Sequence, residues 1–419
     1  MPVMLFGAFA LFILLGLPIA IAIGLSSIGG MFFFTDIPLE LGAQRMLSGL
    51  RSFPLLAIPM FVLAGSIMNA GGITTRLINF AYALIGPMKG GLSAVTIVTH
   101  MIFGGISGSA VADAGSVGKI MIPQMVKRGY PRGYAASVNS IASTIALVIP
   151  PSITMIIYGV TANVSIGDLF FHGLYIGIGF AIIYITTGYI IARVKNLPSE
   201  QRVEWAQVRK AFFAGIWSLF LPIIVLGGIR LGVFTATEGG AVAVTVAVIL
   251  GGLVYRELTW DKIKKVMTES AILVSTIMFI IAMAQIYSWA LVTAGIPQQL
   301  SDLVLSITDN MFVILLFINI LLLLIGAVME GNAAIIVFTP ILLPMVTAVG
   351  VDPVHFGLIV VINLAIGLVT PPVGICLLLS TQIAGIRLEQ AFKDLIPWFL
   401  TALGLLLLVT YIPLFIGFY

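Results

Sequence analysis

The chain of 419 residues is 60% hydrophobic and only 9% charged, with a formal net charge of +4. Soluble domains carry about 25% charged residues, and the mean hydropathy here is +1.18, so water cannot be the solvent for most of the surface. A single cysteine excludes an intrachain disulfide, the three histidines share no metal-ligand spacing, and the small, scattered positive charge argues against nucleic acid as a partner.

The first predicted element is a long apolar region, residues 3–34, which is too long for a cleaved signal segment. We predict it to be the first membrane span. Later apolar segments reach the length of about 20 residues that a span needs. Backbone in lipid must satisfy its own hydrogen bonds, so helices are expected rather than strands. Eight further spans are predicted near residues 53–70, 133–163, 168–192, 211–230, 235–255, 270–293, 356–385 and 396–416.

Two other apolar stretches, residues 91–126 and 312–349, are interrupted near their middle by small and polar residues. The interruptions read GGISGSAVAD at 104–113 and GAVMEGNAA at 326–334. The half on each side has about 13–17 residues, which is too short to cross a bilayer alone. Both stretches are therefore predicted to be re-entrant helical hairpins.

The basic residues favour one orientation. Most of the 20 Lys and Arg residues fall in loops that this map places on one side, while Arg45, Arg51 and Arg230 fall on the other. The positive-inside rule makes the basic side cytoplasmic. The sequence thus predicts a multi-pass protein of the bacterial inner membrane, with a cytoplasmic N-terminus and a periplasmic C-terminus.

An internal repeat relates the two halves of the chain. Sliding the sequence against itself by about 222 residues aligns its rarest features at a nearly constant shift. The aligned pairs are Gly29-Gly30 with Gly251-Gly252, Gly72-Ile73 with Gly295-Ile296, Gly105 with Gly326, Pro123 with Pro344, Gly129 with Gly350, and Pro150-Pro151 with Pro371-Pro372.

Loop charges indicate that the repeat is inverted. The loop KRGYPRGY, residues 127–134, follows the first hairpin, whereas AVGVDPVH, residues 348–355, follows the second and has no Lys or Arg. Equivalent loops then face opposite sides, which is the architecture of many secondary transporters. Duplication retained for stability alone is the alternative. The fold class predicted is an all-α membrane protein with inverted repeats, two hairpins and two broken helices.

Each hairpin is followed by a helix that a double proline interrupts: SIASTIALVIPPSITM at 140–155 and NLAIGLVTPPVGICL at 363–377. Proline removes an amide donor and frees a carbonyl, and a freed carbonyl at membrane depth is costly unless it lines a cavity or meets an ion. Carbonyl and hydroxyl oxygens suit sodium. Glycine and proline that merely allow close packing or kinks are the alternative.

Two sodium sites are therefore predicted, one in each repeat. The first lies between a hairpin tip and a break, at Gly104, Ser107, Gly108, Ala146, Ile149 and Pro151. The second is built in the same way from Gly326, Gly331, Gly367, Thr370 and Val373. At least two sodium ions are expected.

Asp113 and Glu330 are acidic residues deep in the hairpins, where a charge is expensive and usually functional. Each could hold a cation, orient an amide of the tip or bind substrate, together with the nearby Ser109 and Asn332. A protonated structural role is the alternative. Glu238 lies outside the hairpins, and a structural or gating role is expected for it.

Gly72 and Gly295 precede the amphipathic stretches 73–88 and 296–308, and they are predicted hinges because glycine tolerates large backbone changes. The predicted division of the chain is a frame with an arm helix (1–90), a first transport unit (91–163), further frame spans with a second arm (164–310), a second transport unit (311–385) and a last span (386–419).

The motifs resemble the large membrane subunit of tripartite ATP-independent periplasmic (TRAP) transporters over essentially the whole chain. They are GGISGSAVADAGSVGKIMIPQM (104–125), IPPSITMIIYG (149–159), TEGGAVAV (237–244), EGNAAIIVFTPILLPM (330–345) and GLVTPPVGI (367–375). The resemblance implies a sodium-driven importer with an elevator mechanism. It also implies two partners: a periplasmic substrate-binding protein and a small four-helix membrane subunit, here expected as a separate chain.

The resemblance implies an organic acid as substrate: sialic acid, a C4-dicarboxylate or another sugar acid. The sequence does not choose among them, because no arginine lies at either hairpin tip. Two other functions are weaker. An ion antiporter would need a closely spaced chain of membrane carboxylates or lysines, and an enzyme would need a catalytic set or a phosphate-binding loop, which the sequence lacks.

Overall fold

A computed structural model describes residues 2–34, 38–199 and 205–415. These residues form helices and no strand beyond an isolated bridge between Lys89 and Ser199, which confirms the all-α class. The helices of the first half are α1 Pro2–Leu14, α2 Ile19–Phe34, α3 Leu39–Leu50, α4 Ala57–Ala70, α5 Ile73–Ile85, α6 Gly91–Ser107, α7 Ala110–Lys127, α8 Arg132–Ser143, α9 Ile145–Val148, α10 Ile153–Ala162 and α11 Ile166–Val194.

The second half contains α12 Trp205–Arg230, α13 Ala236–Val248, α14 Trp260–Thr293, α15 Ile296–Ile307, α16 Met311–Val328, α17 Gly331–Ala348, α18 Pro353–Gly367, α19 Ile375–Ala384 and α20 Leu388–Phe415. The series of arm helix, hairpin, broken helix and following long helix runs from α5 to α11 and again from α15 to α20, where the single α18 corresponds to α8 and α9. Both series begin at a left-handed glycine, Gly72 (φ 76°) and Gly295 (φ 68°). The helices thus follow the repeat found in the sequence, and its inversion stays a prediction.

The single span predicted for residues 3–34 is wrong. The chain reverses at Gly16, which has a φ of +79°, so α1 and α2 are two helices of 13 and 16 residues. They lie antiparallel, because a Cβ at Gly30 would be 2.8 Å from Leu5 Cδ2 across this short turn. The predicted cytoplasmic location of the N-terminus was based on counting residues 3–34 as one span. Because two antiparallel helices replace that span, the location of the N-terminus no longer follows from the count.

Seven helices of the described chain are long and apolar enough to cross a membrane: Phe53–Ala70, Ile166–Val194, Ala236–Val254, Trp260–Thr293, Met311–Val328, Gly331–Ala348 and Leu388–Pro413. The pair Arg132–Val148 and Ile153–Ala162, bent by 41° at the first double proline, is apolar enough to add an eighth if it crosses as one broken span. A multi-pass membrane protein is confirmed.

The hairpin halves are longer than predicted. The first hairpin has helices of 17 and 18 residues, and the second has two of 18 residues, because helical backbone continues up to the tips. Eighteen residues span about 27 Å, so shortness does not explain re-entry. Re-entry itself stays a prediction.

Packing divides the helices into two groups. In the frame group, α2, α3 and α4 pack on α14, α13 packs on α4, and α12 packs on α5; the group meets the hairpins where α5 contacts α6 and α14 contacts α17. The hairpin group contains α6 to α10 and α16 to α19, and both α11 and α20 pack onto it: α11 against α6 and α18, and α20 against α8 and α18. This differs from the predicted division, which placed residues 164–194 and 386–419 outside the transport units.

Contacts between loops support the predicted grouping of the two faces. On the basic side, Lys89 Nζ donates to Asn196 at 3.4 Å, and Lys195 pairs with Asp394. On the other side, Arg230 lies 3.9 Å from Asp168, and Tyr158 donates to the carbonyl of Pro353 at 2.6 Å. Elements that the charge rule places on one side therefore meet in the fold.

If the repeat is inverted, cysteines at Lys127 and Ala348 should be labelled from opposite sides of the membrane. Both positions are exposed and end equivalent helices of the two hairpins. They are preferable to Gly129 and Gly350, whose φ values of 89° and 87° strain any side chain. An impermeant maleimide applied to whole cells and to inverted vesicles gives the measurement. Labelling of both from one side would exclude the inversion.

Candidate functional site

The first hairpin tip rests on the first broken helix. Gly108 has a φ of 61° and accepts, through its carbonyl, a 3.4 Å hydrogen bond from the amide of Ile153. A Cβ at Gly108 would be 2.8 Å from the carbonyl oxygen of Pro151. Only glycine combines this φ with this approach, so the tip and the break form one unit.

The predicted residues of the first sodium site are brought together. A Cβ at Gly104 would be 2.6 Å from Ala146 Cα and 3.2 Å from Asp113 Oδ2. Ile149 lies next to them, its Cγ2 being 3.1 Å from a Cβ built at Gly105. Backbone of the hairpin and backbone of the broken helix are therefore in close contact around the carboxylate of α7.

Asp113 is fully buried, and its two oxygens have different surroundings. Ser107 Oγ donates to Oδ1, whereas no described residue donates to Oδ2. A buried carboxylate oxygen without a partner costs free energy unless a cation or a proton compensates it. This oxygen lies beside Gly104 and Ala146, inside the predicted first site.

The second hairpin tip also touches its break. A Cβ at Gly367 would be 2.5 Å from Gly326 Cα, so these backbones touch. The amide of Val373 donates to the carbonyl of Ala327 at 3.4 Å. Thr370 Oγ1 donates to the carbonyl of Ile366 at 2.7 Å, which leaves its lone pairs able to accept or to bind a cation.

Gly331 is more loosely placed, because a Cβ there would be 3.6 Å from Leu364 Cβ, which is ordinary contact. Glu330 has an identifiable role: its Oε2 accepts a 3.1 Å hydrogen bond from the amide of Ala333 and caps α17. Of the roles considered for Glu330, the geometry favours orientation of a tip amide.

Glu238 forms a capping box with Thr235 on α13, a structural role.

The two breaks differ in exposure. Ile149 to Ser152 are buried, and Ile149 packs on α11, with its Cδ1 2.5 Å from a Cβ built at Gly177. Pro371 to Val373 are exposed. The first predicted site is therefore enclosed by protein and contains a carboxylate, whereas the second opens to the surface at its break, where Thr370 carries a neutral hydroxyl.

A small cavity of about 80 Å³ lies between the first tip and the frame, with polar groups on an otherwise apolar lining. Hydroxyl groups of Ser107, Ser109 and Ser116 line it from the hairpin, and Ser66 and Asn69 line it from α4. Sequence reasoning found Ser107 and Ser109 but missed the others. The signal available for Ser66 and Asn69 was a pair of polar residues on an apolar span just before Gly72.

Asn332, the remaining predicted residue, connects the two repeats: its Oδ1 accepts a 3.3 Å hydrogen bond from Thr154 Oγ1 on α10. Sequence reasoning missed Thr154. Asn332 lies in the first turn of α17, so the second hairpin touches the first broken helix as well as its own.

The predicted hinges differ in their surroundings. Arg76 Nη1 donates to the carbonyl of Gly72 at 2.8 Å and pairs with Glu257 at 2.7 Å. Lys262 Nζ donates to the carbonyl of Ala70 at 3.0 Å. A loop of the frame thus holds the first joint, whereas a Cβ at Gly295 would meet only Gln299, at 3.7 Å.

Comparison with known proteins identifies the family. Residues 6–415 match the family described as "Tripartite ATP-independent periplasmic transporter, DctM component". The chain belongs to this family. As a TRAP large permease it is a transporter subunit of the bacterial inner membrane and not an enzyme.

Similar TRAP permeases cover nearly the whole chain. An isethionate TRAP transporter permease, DctMQ of Oleidesulfovibrio alaskensis, is 40% identical over 98% of this chain and 65% of its own length. The 2,3-diketo-L-gulonate TRAP transporter large permease YiaN of Escherichia coli is 38% identical over 96% of this chain and 94% of its own length. The sialic acid TRAP transporter large permease SiaM of Vibrio cholerae is 35% identical over 96% and 94%.

Among solved structures, the YdaH transporter of Alcanivorax borkumensis has a TM-score of 0.65 to this TRAP permease over 98% of both chains. The sequence identity is 14%. This likeness supports a transporter fold and carries no statement about substrate.

Proposed function

We propose that this TRAP permease imports a small organic acid anion together with sodium. The relatives' names include isethionate, 2,3-diketo-L-gulonate, C4-dicarboxylate and sialic acid, all of them organic acids or their anions. The cavity beside the first tip offers hydroxyl and amide groups, which can bind a carboxylate by neutral hydrogen bonds. Sialic acid, a C4-dicarboxylate and another sugar acid all remain candidates.

The observation that supports sodium coupling best is the buried, unpartnered Oδ2 of Asp113. A sodium ion there would be held by this carboxylate and by backbone of Gly104, Gly108 and Ala146, with Ser107 orienting the carboxylate. The second ion would lie between Gly326 and Thr370, with oxygens of the exposed break as ligands. Because the first break is buried and the second is exposed, the first ion should exchange with solvent more slowly than the second.

The name of the family supports further partners, because a tripartite transporter has components besides the DctM subunit. We propose a periplasmic binding protein that delivers substrate and a small membrane subunit, both acting as separate chains. The bilayer is the third partner. DctMQ, in which this chain covers 65% of the length, shows that a related permease has additional sequence beyond the DctM part.

Sodium-dependent uptake tests the proposed function. The permease, reconstituted in vesicles with cognate binding protein and small subunit, should take up substrate only with a sodium gradient. Thr370→Val keeps the side-chain shape and removes a hydroxyl, so we expect the half-activating sodium concentration to rise about tenfold, as for the loss of one polar interaction. Full uptake driven by protons in potassium medium, or equal uptake without the binding protein, would refute the proposal.

An elevator motion is the proposed mechanism. The hairpin group, now including α11 and α20, would slide against the frame while the arms α5 and α15 pivot at Gly72 and Gly295. Its support is the division of the helices by packing and the placement of the small cavity between the two groups. A moving hairpin group keeps both ions and substrate together.

Such sliding should change access to the cavity. Ser116 is half-buried in its wall, so the alkylation rate of Ser116→Cys should change several-fold when sodium and substrate are added. Thr268→Cys, exposed on α14 of the frame, is the control and should not respond. An unchanged rate at Ser116→Cys would favour local opening of the tips over an elevator.

A further inference from the structure

A groove of about 560 Å³ lies far from the hairpin tips, between α11, α18 and α20. It opens where α11 and α18 begin and α20 approaches its end. This is the face opposite the basic loops, since Asp168 at its mouth is 3.9 Å from Arg230. The transport role proposed above does not use this groove.

The lining changes from charged to apolar along the helices. Asp168 and Asp352 stand at the mouth, followed by His172 and His355. Tyr175 and Ile176 lie further along α11, and eight residues of α-helix from Asp168 to Ile176 correspond to about 12 Å of depth. The deeper lining is Ile176 and Leu358. A polar mouth over an apolar floor fits an amphipathic ligand whose head stays at the membrane surface.

Charges at the mouth specify the head group. Asp168 and Asp352 are exposed carboxylates, and Asp352 uses one oxygen, Oδ1, to accept the amides of Val354 and His355 at 2.9 Å. Arg230 adds one positive charge beside Asp168. An ammonium group complements the carboxylates, and a phosphate complements the guanidinium and the imidazole of His172. Both groups occur in phosphatidylethanolamine.

The walls are built to stay open. His355 Nε2 is 2.8 Å from the carbonyl oxygen of Val409, a contact that ties α18 to α20 above the buried Leu358. Leu408 and Ile412 present exposed apolar surface at the edge, 48% and 47% accessible, where the acyl region of a bilayer would begin. The groove can take a head group and the upper part of one acyl chain, while the rest of the lipid remains in the bilayer.

We propose that this groove binds one phosphatidylethanolamine molecule of the leaflet on the face opposite the basic loops, with the ammonium on Asp168 and Asp352 and one acyl chain against Ile176 and Leu358. The lipid would pack on three helices of the hairpin group. The site is independent of the sodium and substrate sites.

Native mass spectrometry of the delipidated full chain, incubated with equal amounts of phosphatidylethanolamine, phosphatidylcholine and phosphatidylglycerol, tests the site. We expect one retained phosphatidylethanolamine, favoured about tenfold over phosphatidylcholine, which has the same phosphate but no N–H donor. The double variant Asp168→Asn with Asp352→Asn should lose this preference. Asparagine still caps α18, so the helix start is preserved.

Two variants keep the test decisive. Asp309→Asn, an exposed acid outside the groove, should retain the preference. Ile176→Trp fills the floor and should remove the retained lipid whatever its head group. Equal retention in Ile176→Trp and wild type would overturn the proposal. So would a double variant that binds lipid normally but no longer captures the small membrane subunit, since the groove would then belong to a protein partner.

Discussion

Gly367→Ala should reduce sodium-driven uptake at least about tenfold. The added Cβ would lie 2.5 Å from Gly326 Cα, and backbone atoms of another helix cannot rotate away as a side chain can. Overpacking of this kind costs about 1–3 kcal/mol, and 1.4 kcal/mol already makes the docked tip about tenfold less populated. Separation of α16 from α18 would disperse the oxygens of the second ion site.

The matched control is Gly404→Ala. Gly404 is also helical, on α20, but a Cβ there would meet nothing within 4 Å. Alanine gains about 1 kcal/mol of helix propensity over glycine in a helix interior such as that of Gly404, whereas Gly367 is the last residue of α18; at neither position does propensity predict a loss of stability. Uptake and thermal stability in detergent are the measurements. Normal uptake by Gly367→Ala would show that the tip can move away from the break without loss of function.

Asp113→Asn should raise the half-activating sodium concentration about a hundredfold. The change preserves shape and removes the charge of a fully buried side chain. If the carboxylate is paired with an ion, removal of one partner of a buried pair costs about 3 kcal/mol or more, which corresponds to about a hundredfold in affinity. The Ser107 hydroxyl can still donate to the remaining oxygen of asparagine.

Asp302→Asn, an exposed change on α15, provides the control and should leave sodium dependence unaltered. Sodium titrations of uptake, with correct folding verified by size-exclusion chromatography, give the comparison. The alternative considered for Asp113, a protonated structural side chain, predicts a different outcome. In that case asparagine replaces a neutral group, and the sodium requirement stays at its wild-type value.

Much of the hairpin group could be predicted because its features are residue-specific. Gly108 and the double prolines have conformations that other residues rarely adopt, so the sequence points to the tip and break regions in which Gly104 contacts Ala146 and Gly326 contacts Gly367. That these residues bind sodium stays a prediction. The reversal between α1 and α2 was missed because apolar residues continue on both sides of it. Gly16 and Pro18 were its only local signals.

Features assembled from distant helices were not predictable. The burial of the first break depends on α11, where Gly177 allows Ile149 to approach, and nothing in the motif at 149–159 indicates this. Ser66 and Asn69 reach the cavity only because α4 packs beside the first tip. Loop charges could not reveal that α11 and α20 belong with the hairpins, since grouping by packing depends on helix faces rather than on sidedness.

The hydrogen bond between Thr154 and Asn332 connects the two regions proposed to bind sodium. Thr154 lies in the first turn of α10, the second half of the first broken helix, and Asn332 lies in the first turn of α17, the second helix of the second hairpin. Withdrawal of the second tip strains the helix whose amide at Ile153 holds the first tip. If both proposed sites bind sodium, occupancy of one should change the affinity of the other, and thermodynamic linkage would make that influence equal in both directions. An ion leaving the exposed site would loosen the enclosed one, which gives the pair an order of release.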